Sequence, residues 1–393
     1  MTVRVNKPSF NIREKLSELG RKFGLKGSEL VAAETVQEAR DLVSAGRKNM
    51  VINGAMQVAQ RVPYPSTQPT VSYSNYYTVD RWRMNVSDAN FGTWTFSQSN
   101  TVPSGKGFAY SWKWDCTTAD TSLDSGHYGI AEYRIEAQDL QHLEYGTSSA
   151  KPVTISFWVK TNKTGTYVFS IFSEDGNRYV SKTYTVNQAN TWEYKTITFE
   201  GDISGTINND NGDGFRLWWW LGSGTNFSGG TMQPGVWRSW GSDQNGATPG
   251  LSVNMADSTS NEWFITGVQL EVGRNATDFE HRSYGEELAL CQRYFFKLSN
   301  SRLIMGYKRH DGSANFPVNT PVSMRVAPTP SLSTSGTFSN FQSSFSTTQS
   351  SPNVYEWSDT GNRFIFQVQS TWSSTHTYVP AWESFTAEFN SEL

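Results

Sequence analysis

The chain has 393 residues, of which 18% are charged and 14% are aromatic, and its formal net charge is −3. A balance this close to neutral disfavours nucleic acid as the main ligand, because binding to a phosphate backbone needs a positive field. No apolar run approaches the roughly 18 residues of a membrane span and the N-terminus lacks a signal-peptide core, so we expect no membrane insertion and a protein that starts out in the cytoplasm of the cell that makes it.

Residues 1–49 predict two short amphipathic helices, because Asn11 with Glu14 and Thr35 with Glu38 have the spacing of capping boxes. Apolar side chains then recur at three- and four-residue spacing: Ile12, Leu16, Leu19 and Phe23 in the first helix, and Val36, Leu42 and Val43 in the second. Helices this short are marginal alone and must pack on something. They pack either on each other and the following domain, or on copies of the chain or a docking protein. We favour the second alternative and interpret residues 1–49 as an attachment segment.

From residue 50 to about 285 the pattern changes to the period-two alternation that is typical of β-strands. Strands are predicted at 153–161, 166–174, 191–201, 215–223 and 261–273. The Lys-Thr-Gly sequence between the first two predicts a hairpin. Antiparallel strands at this spacing favour a two-sheet sandwich of the jelly-roll type.

The aromatic residues of this region have two interpretations. Trp218, Trp219 and Trp220 are consecutive, and strand side chains alternate, so at least one must point away from the face of its neighbours. An exposed Trp would be a stacking platform for sugar rings, with Trp237 and Trp240 in the following Gly-rich stretch as further candidates. The alternative is a core or a subunit interface that is rich in Trp.

Metal and cofactor sites are not expected. Asn209, Asn211, Asp213 and Gly214 match the opening of a calcium loop, but Trp220 stands where that loop needs Glu, and a Gly/Asn-rich turn explains the same residues. Cys116 and Cys291 are too few for a disulfide framework or a four-thiolate zinc site, so we expect two buried thiols.

Catalysis is not expected either, because the sequence has none of the common nucleophile, zinc-protease or phosphate-loop motifs. Glu132, Glu136, Asp139 and Glu144 cluster in one segment, and a glycosidase needs only two opposed carboxyls. Acidic clusters of this density are usually solvated surface, so a non-enzymatic protein is the favoured interpretation.

A short helix or crossover is predicted at 284–297, where the chain leaves the jelly roll, and the C-terminal domain at 286–393 then becomes Ser/Thr-rich and β-like. Strands are predicted at 321–333, where Pro favours an edge strand, and at 362–372. We expect a smaller C-terminal β-sandwich at the distal tip. The overall prediction is a mainly β protein with short N-terminal helices, a central antiparallel jelly roll and this second sandwich.

Two flanking motifs resemble those of fibre and appendage proteins on the virions of phages that infect marine bacteria, cyanobacteria among them. The first is RKNMVINGAMQVAQR at 47–61, followed by YTVDRW at 77–82, and the second is ITGVQLEVGRNATDFEHRSYGEELALCQRYFFK at 265–297. The N-terminal leader and the C-terminal WESFTAEFNSEL also resemble parts of such proteins. The likeness covers roughly residues 4–300.

This resemblance implies a non-catalytic, carbohydrate-binding-like jelly roll that forms a homotrimer and is displayed on a virion. We therefore expect a tail fibre or receptor-binding appendage that attaches to another virion protein through residues 1–49 and contacts host cell-surface polysaccharide. The alternatives are a capsid decoration or head-fibre protein without a specific ligand, and a polysaccharide-degrading tailspike.

Overall fold

A computed structural model describes residues 47–67, 70–87, 91–298, 304–305, 307–308, 313–332, 336–340, 343–349, 353–356, 363–369, 380–383 and 387–393. The two predicted N-terminal helices lie outside the described residues, so the attachment role of Ile12, Leu16, Leu19, Phe23, Val36, Leu42 and Val43 stays a prediction.

The central region is a sandwich of two antiparallel sheets, which confirms the predicted fold class. The seven-stranded sheet has, in spatial order, β1 (Asn75–Tyr76), β2 (Trp82–Val86), β5 (Tyr128–Glu136), β10 (Asp213–Ser223), β7 (Gly165–Ser173), β8 (Arg178–Val186) and β11 (Arg238–Ser239). The five-stranded sheet has β3 (Thr93–Ser99), β4 (Ser111–Thr118), β12 (Glu262–Val272), β6 (Val153–Thr161) and β9 (Glu193–Phe199).

The predicted hairpin at 153–174 is wrong, because its two strands lie in different sheets. β6 pairs with β9 and β12, whereas β7 pairs with β8 and β10. The turn between them is bound to the segment before β12: the Asn162 amide donates to Asn261 at 3.1 Å, and the Lys163 ammonium donates to the Asn254 carbonyl at 2.9 Å. Alternation does not distinguish pairing strands from facing strands, because both arrangements bury the same side chains.

The core between the sheets is dominated by aromatic side chains. Trp82 of β2 contacts Trp112 of β4 and Trp219 of β10, with ring centroids 5.8 and 5.5 Å apart, and all three rings are buried. Cys116 and Cys291 are free thiols and both are buried, as expected. Large aromatic rings bury much apolar area per residue, which suits a sandwich whose outer positions are mostly polar.

Short helices connect the strands. They are a 3₁₀-helix (Ala137–Leu143), α1 (Thr225–Ser228), α2 (Trp240–Asp243), a 3₁₀ turn (Gln244–Gly246) and α3 (Tyr284–Gln292). The α3 helix begins at a Ser283 cap, whose hydroxyl accepts from the Glu286 backbone. It confirms the helix predicted at the end of the second flanking motif. Among the described helices, none has the length and apolar character to cross a membrane.

The C-terminal region is also antiparallel β, in three sheets. The first has β13 (Phe295–Leu298), β23 (Ala387–Asn390) and β17 (Thr329–Leu332); the second has β14 (Ile304–Met305), β22 (Pro380–Glu383), β18 (Gly336–Asn340) and β19 (Ser343–Gln349); the third has β15 (Tyr307–Lys308), β16 (Ser313–Asn319), β21 (Arg363–Gln369) and β20 (Asn353–Glu356). β21 confirms the strand predicted at 362–372, whereas only Thr329–Leu332 of the segment 321–333 is a strand. The predicted boundary at 285 stays a prediction.

The two flanking motifs are bound to each other. The Asn49 side chain donates to the Val268 carbonyl at 3.0 Å and accepts from the Leu270 backbone at 3.1 Å. One oxygen of Glu280 accepts from the backbone amides of Lys48 and Asn49, each at 2.7 Å. The first motif thus lies beside residues 268–270 of β12, which gives the joint occurrence of the two motifs a physical reason.

Candidate functional site

The structure corrects the predicted tryptophan platform. The three consecutive side chains of β10 do alternate: Trp219 points into the inter-sheet core, and Trp218 and Trp220 point to the outer face of the seven-stranded sheet. That outer face is covered, however, by the segment 224–251, so Trp218 is only 4% exposed and Trp220 is fully buried. Alternation fixes the direction of a side chain, but it does not reveal a long loop that folds over the sheet.

Trp240 and Trp237 are partly buried, and each packs against a buried cluster. Trp240 lies against Trp218 at 5.1 Å and against Phe227 at 6.0 Å, so it is part of the cover over β10. Trp237 packs on Tyr145 at 5.6 Å and donates its indole N–H to the Glu200 carbonyl at 2.8 Å. Trp218, Trp219 and Trp220 therefore form no exposed platform, and the alternative interpretation, a core rich in Trp, describes them. Trp237 and Trp240 are partly buried, and their role in ligand binding stays a prediction.

The acidic cluster does not form an opposed pair of carboxyls. Glu132 is buried on β5 and accepts from Arg83 and Arg134, each at 2.7 Å, and from the Trp218 indole at 2.8 Å. Burial alone would raise its pKa, but Arg134 and Arg83 outweigh burial and lower the pKa of Glu132 to about 2. A carboxylate held ionised in this way is suited to an ion pair and not to donating a proton.

The other acids of the cluster have separate surroundings. Glu136 is bound by Arg293 through two contacts of 2.8 Å and also accepts from Tyr294. Glu144 pairs with Lys151 at 2.7 Å on the surface. Asp139 is exposed at the start of the 3₁₀-helix. The four carboxyls therefore serve different local contacts.

The segment that resembles a calcium loop is bound by arginines. Arg325 donates to the Asn211 carbonyl at 2.8 Å, and the Asp213 carboxylate accepts from Arg216 at 2.7 Å and pairs with Arg134 at 3.1 Å. Among the described residues, no group of three or more His, Cys, Asp or Glu side chains is placed to hold a metal ion.

An open cleft with a volume of about 500 Å³ lies where the first flanking motif meets the five-stranded sheet. Three tyrosines and three glutamines line most of it: Tyr64, Tyr110, Tyr284, Gln57, Gln60 and Gln98. We call it the tyrosine cleft. Its lining side chains come from five places, namely the end of the first motif, the loop after it, β3, the β3–β4 loop and the first turn of α3.

Two of the tyrosines are unusually exposed for large aromatic side chains. Tyr64 is 42% exposed and Tyr284 is 57% exposed, while Tyr110 is half-buried. The rings of Tyr64 and Tyr110 have centroids 5.8 Å apart and are tilted by 48°. Asn100 donates to the Tyr64 hydroxyl at 3.0 Å, which fixes the orientation of that phenol. The cleft therefore presents flat apolar faces beside oriented polar atoms.

The glutamines hold the cleft in shape. The Gln98 amide accepts from the Tyr64 backbone at 3.1 Å and donates to the Met56 carbonyl at 2.7 Å. Gln60 donates to the Phe295 carbonyl at 2.7 Å and to the buried carboxylate of Asp80. Burial raises the pKa of Asp80 to about 6, although its contacts with Arg61 and Gln60 oppose the rise. Gln98 and Gln60 thus connect the exposed loop to the core.

The chemistry of the tyrosine cleft suits a neutral, hydroxyl-rich ligand. Pyranose rings present apolar C–H faces that pack on aromatic faces, and their hydroxyls bond to amides and phenols. None of the cleft's lining side chains is a carboxylate, ammonium, guanidinium or imidazole. The sequence pattern did not predict Tyr64 as a site residue, because it lies outside the alternating strands; the available signal was its position between two prolines, shortly after the first motif.

No family model and no curated protein matches the sequence. Among similar solved structures is the enzymatically active domain of bacteriophage CBA120 tailspike protein 4, with 14% identity, a TM-score of 0.30, and coverage of 57% of this chain but only 21% of that one. Another is TmCBM61 in complex with β-1,4-galactotriose (11% identity, TM-score 0.27, 58% and 100% covered). A third is a family 11 carbohydrate-binding module of Clostridium thermocellum, with 14% identity, a TM-score of 0.25, and coverage of 54% of this chain and 99% of that one. TM-scores this low establish no ligand or activity for this chain.

Proposed function

We propose that this chain is a non-enzymatic, glycan-binding appendage of a bacteriophage virion and that the tyrosine cleft binds the glycan. The observation that supports glycan binding is the convergence of exposed Tyr64 and Tyr284 with Tyr110 and neutral amides in one open cleft. Its volume lies within the range of about 300–1,000 Å³ that is usual for small-ligand sites.

The virion assignment is supported by the motifs at 47–61, 77–82 and 265–297, which resemble those of phage appendage proteins. In this proposal residues 1–49 attach the chain to another virion protein, and the chain is a homotrimer. Several weak sites on one trimer, and many trimers on one particle, then give firm attachment to a host surface.

A glycan array tests the ligand. We expect the intact protein to bind neutral glycans, and Tyr64→Ala combined with Tyr284→Ala to weaken that binding by about tenfold or more, since truncated aromatic anchors typically cost at least 1.4 kcal/mol. Tyr73→Ala is the matched control, because Tyr73 is 67% exposed and does not line the cleft. Absence of binding to any glycan, or equal binding by all three proteins, would contradict the proposal and favour a capsid decoration protein.

Three further measurements test the other parts of the proposal. A chain that lacks residues 1–46 keeps the contacts of Asn49 with β12. It should fold and sediment normally but fail to join particles in a complementation assay; unchanged incorporation would refute the attachment role. Incubation of the intact protein with host polysaccharide should release no reducing sugar, and release would show a tailspike enzyme instead. Sedimentation equilibrium of the intact protein should give the mass of a trimer.

A further inference from the structure

The outer face of the five-stranded sheet carries an aromatic pair far from the core. On β6, Phe157 points into the core, so its neighbour Trp158 points outward. Tyr194 of β9 is the register partner of Trp158, and their ring centroids lie 5.3 Å apart with a tilt of 43°. Tyr194 is 44% exposed and Trp158 is half-buried. We call this pair the Trp158–Tyr194 face.

Two lysines accompany this pair. The Lys106 ammonium lies 5.5 Å from the centroid of the Trp158 ring. Lys160 lies two residues along β6 from Trp158, on the same side of the sheet, and its ammonium is 5.1 Å from the Phe264 ring. Within the part of the chain that the structure describes, neither ammonium forms an ion pair with a carboxylate.

Lys113 provides the contrast; it lies on β4, which is separated from β6 by β12. Its ammonium lies 2.6 Å from Glu262 and 3.4 Å from Asp115, so its charge is neutralised inside the protein. The Phe264 ring lies close to both ammonium groups, with its centroid 5.7 Å from that of Lys113 and 5.1 Å from that of Lys160. Of these two similarly placed lysines, only Lys160 retains a charge that is available to a ligand.

The opposite side of the pair is acidic. Burial raises the pKa of the Tyr194 phenol; a hydrogen bond with the Ser156 side chain opposes that rise, and Glu271 and Asp278 add to it, so the phenol stays protonated. Glu271 is already bound by Thr277, whose backbone donates to it at 2.9 Å. A negative group of a ligand is therefore attracted to the lysine side of Trp158 and repelled from the side of Asp278.

We propose that the Trp158–Tyr194 face is a second glycan site and that it takes an acidic polysaccharide. A pyranose ring packs on Trp158, and a carboxylate or sulfate of the polymer is bound by Lys106 and Lys160. Ammonium groups bind such anions through charge-assisted hydrogen bonds, and aromatic faces bind the C–H surface of the sugar. This inference rests on the proposed glycan-binding function and adds a second site with a different ligand chemistry.

Binding assays with the intact protein test the site. One compares a polyuronate with its carboxyl-reduced form, and the other compares a sulfated polysaccharide with its desulfated form. We expect binding to at least one acidic polymer that falls by about tenfold or more in its neutral form, and that weakens as salt rises from about 0.05 to 0.5 M. The arm that binds identifies the anion as carboxylate or sulfate. Failure of both arms would overturn the proposal.

Variants separate this site from the tyrosine cleft. Lys106→Gln combined with Lys160→Gln, and separately Tyr194→Ala, should each weaken binding to the acidic polymer by about tenfold, because each removes a direct contact. Lys113→Gln is the matched control and should leave binding within about twofold, since its charge is already neutralised. Equal binding by the double lysine variant and the control would overturn the proposal. The double variant Tyr64→Ala, Tyr284→Ala should still bind the acidic polymer. A negative result for the tyrosine cleft is therefore distinguishable from a negative result for the Trp158–Tyr194 face.

Discussion

Arg81 and Glu392 form a buried ion pair that joins the turn before β2 to the C-terminal residues of the chain. The Arg81 guanidinium lies 3.4 Å from the centroid of the Tyr294 ring and donates to the Arg134 carbonyl at 2.6 Å. Glu392 also pairs with Arg61 at 3.2 Å. The buried charges thus compensate one another. The Arg81–Glu392 pair binds the C-terminal segment to the sandwich, although the two residues are more than three hundred positions apart in the sequence.

Glu392→Gln should lower the free energy of unfolding by about 3 kcal/mol, because it leaves the buried Arg81 without its counter-charge. Urea denaturation of the intact protein measures this. Glu388→Gln on β23 is the control, since its pair with Lys297, at 3.1 Å, is partly exposed and should contribute less than about 1 kcal/mol. Equal losses in the two variants would show that the Arg81 contact adds nothing beyond a surface pair.

Gly54→Ala tests the contact between the two flanking motifs. A Cβ at Gly54 would lie 2.1 Å from the Val268 carbonyl oxygen, whose own amide donates to the Gly54 carbonyl at 2.9 Å. Both neighbours are backbone, so relief requires the first motif to move away from β12, and we expect a loss of about 2 kcal/mol or more in urea denaturation. Gly241→Ala should change stability by less than about 1 kcal/mol, because a Cβ there meets no atom within 4 Å. A tolerated Gly54→Ala would mean that the motifs are not tightly packed.

Phe227→Ala tests the cover over the seven-stranded sheet. Phe227 contacts Trp220 at 5.5 Å and Tyr128 at 5.3 Å, so its removal opens a cavity and should cost about 3 kcal/mol. Tryptophan fluorescence should shift to the red as Trp220 gains water, while binding of neutral glycans stays unchanged under folded conditions. Val236→Ala, at an exposed position of the same segment, should neither lower the stability by this amount nor shift the fluorescence. If folded Phe227→Ala lost glycan binding, the glycan site would lie at the tryptophans of β10 and not in the tyrosine cleft.

The Glu132 ion pairs predict an acid-dependent stability. The pKa of Glu132 falls from its usual 4.5 to about 2 because Arg134 and Arg83 outweigh burial. Its stabilising contribution is therefore complete above pH 4.5 and is lost as the pH falls toward 2, by about 3 kcal/mol at roughly 1.4 kcal/mol per pKa unit.

The measurement is the difference in unfolding free energy between the natural chain and Glu132→Gln across that pH range. It should be constant near neutrality and shrink between pH 4.5 and 2. Glu200→Gln is the control, because its pair with Arg274 is exposed and should produce little change. A difference that persists undiminished at the lowest pH would show that Glu132 is not held ionised.

Alternation and composition predicted the strands well but not their partners. β9, β10 and β12 lie where period-two patterns placed them, because one alternating face of each strand packs into the core. The hairpin prediction failed at Lys163, since polar bonds made 91 residues away decide that the chain crosses between sheets. Long-range contacts of this kind leave no local signature.

The site residues were harder to predict for the same reason. Trp218 and Trp220 point outward as alternation requires, yet Phe227 and Trp240 cover them. Tyr64 and Tyr284 are separated by 220 positions in the sequence and come together only because the flanking motifs pack on each other. Trp158 is a half-buried tryptophan whose outward direction follows from its neighbour Phe157, so sequence alternation could have identified it.

The small sheet formed by β13, β23 and β17 has a consequence for how such a protein changes over generations. β23 lies between the other two strands, so the segments 299–328 and 333–386 both have their ends fixed in one paired unit beside the sandwich. Segments anchored at both ends tolerate changes of length and composition at small cost. The two segments also pair with each other, where β14 meets β22 and β16 meets β21. Recombination that exchanges one of them therefore has to exchange the other with it, while the sheet of β13, β23 and β17 keeps its sequence.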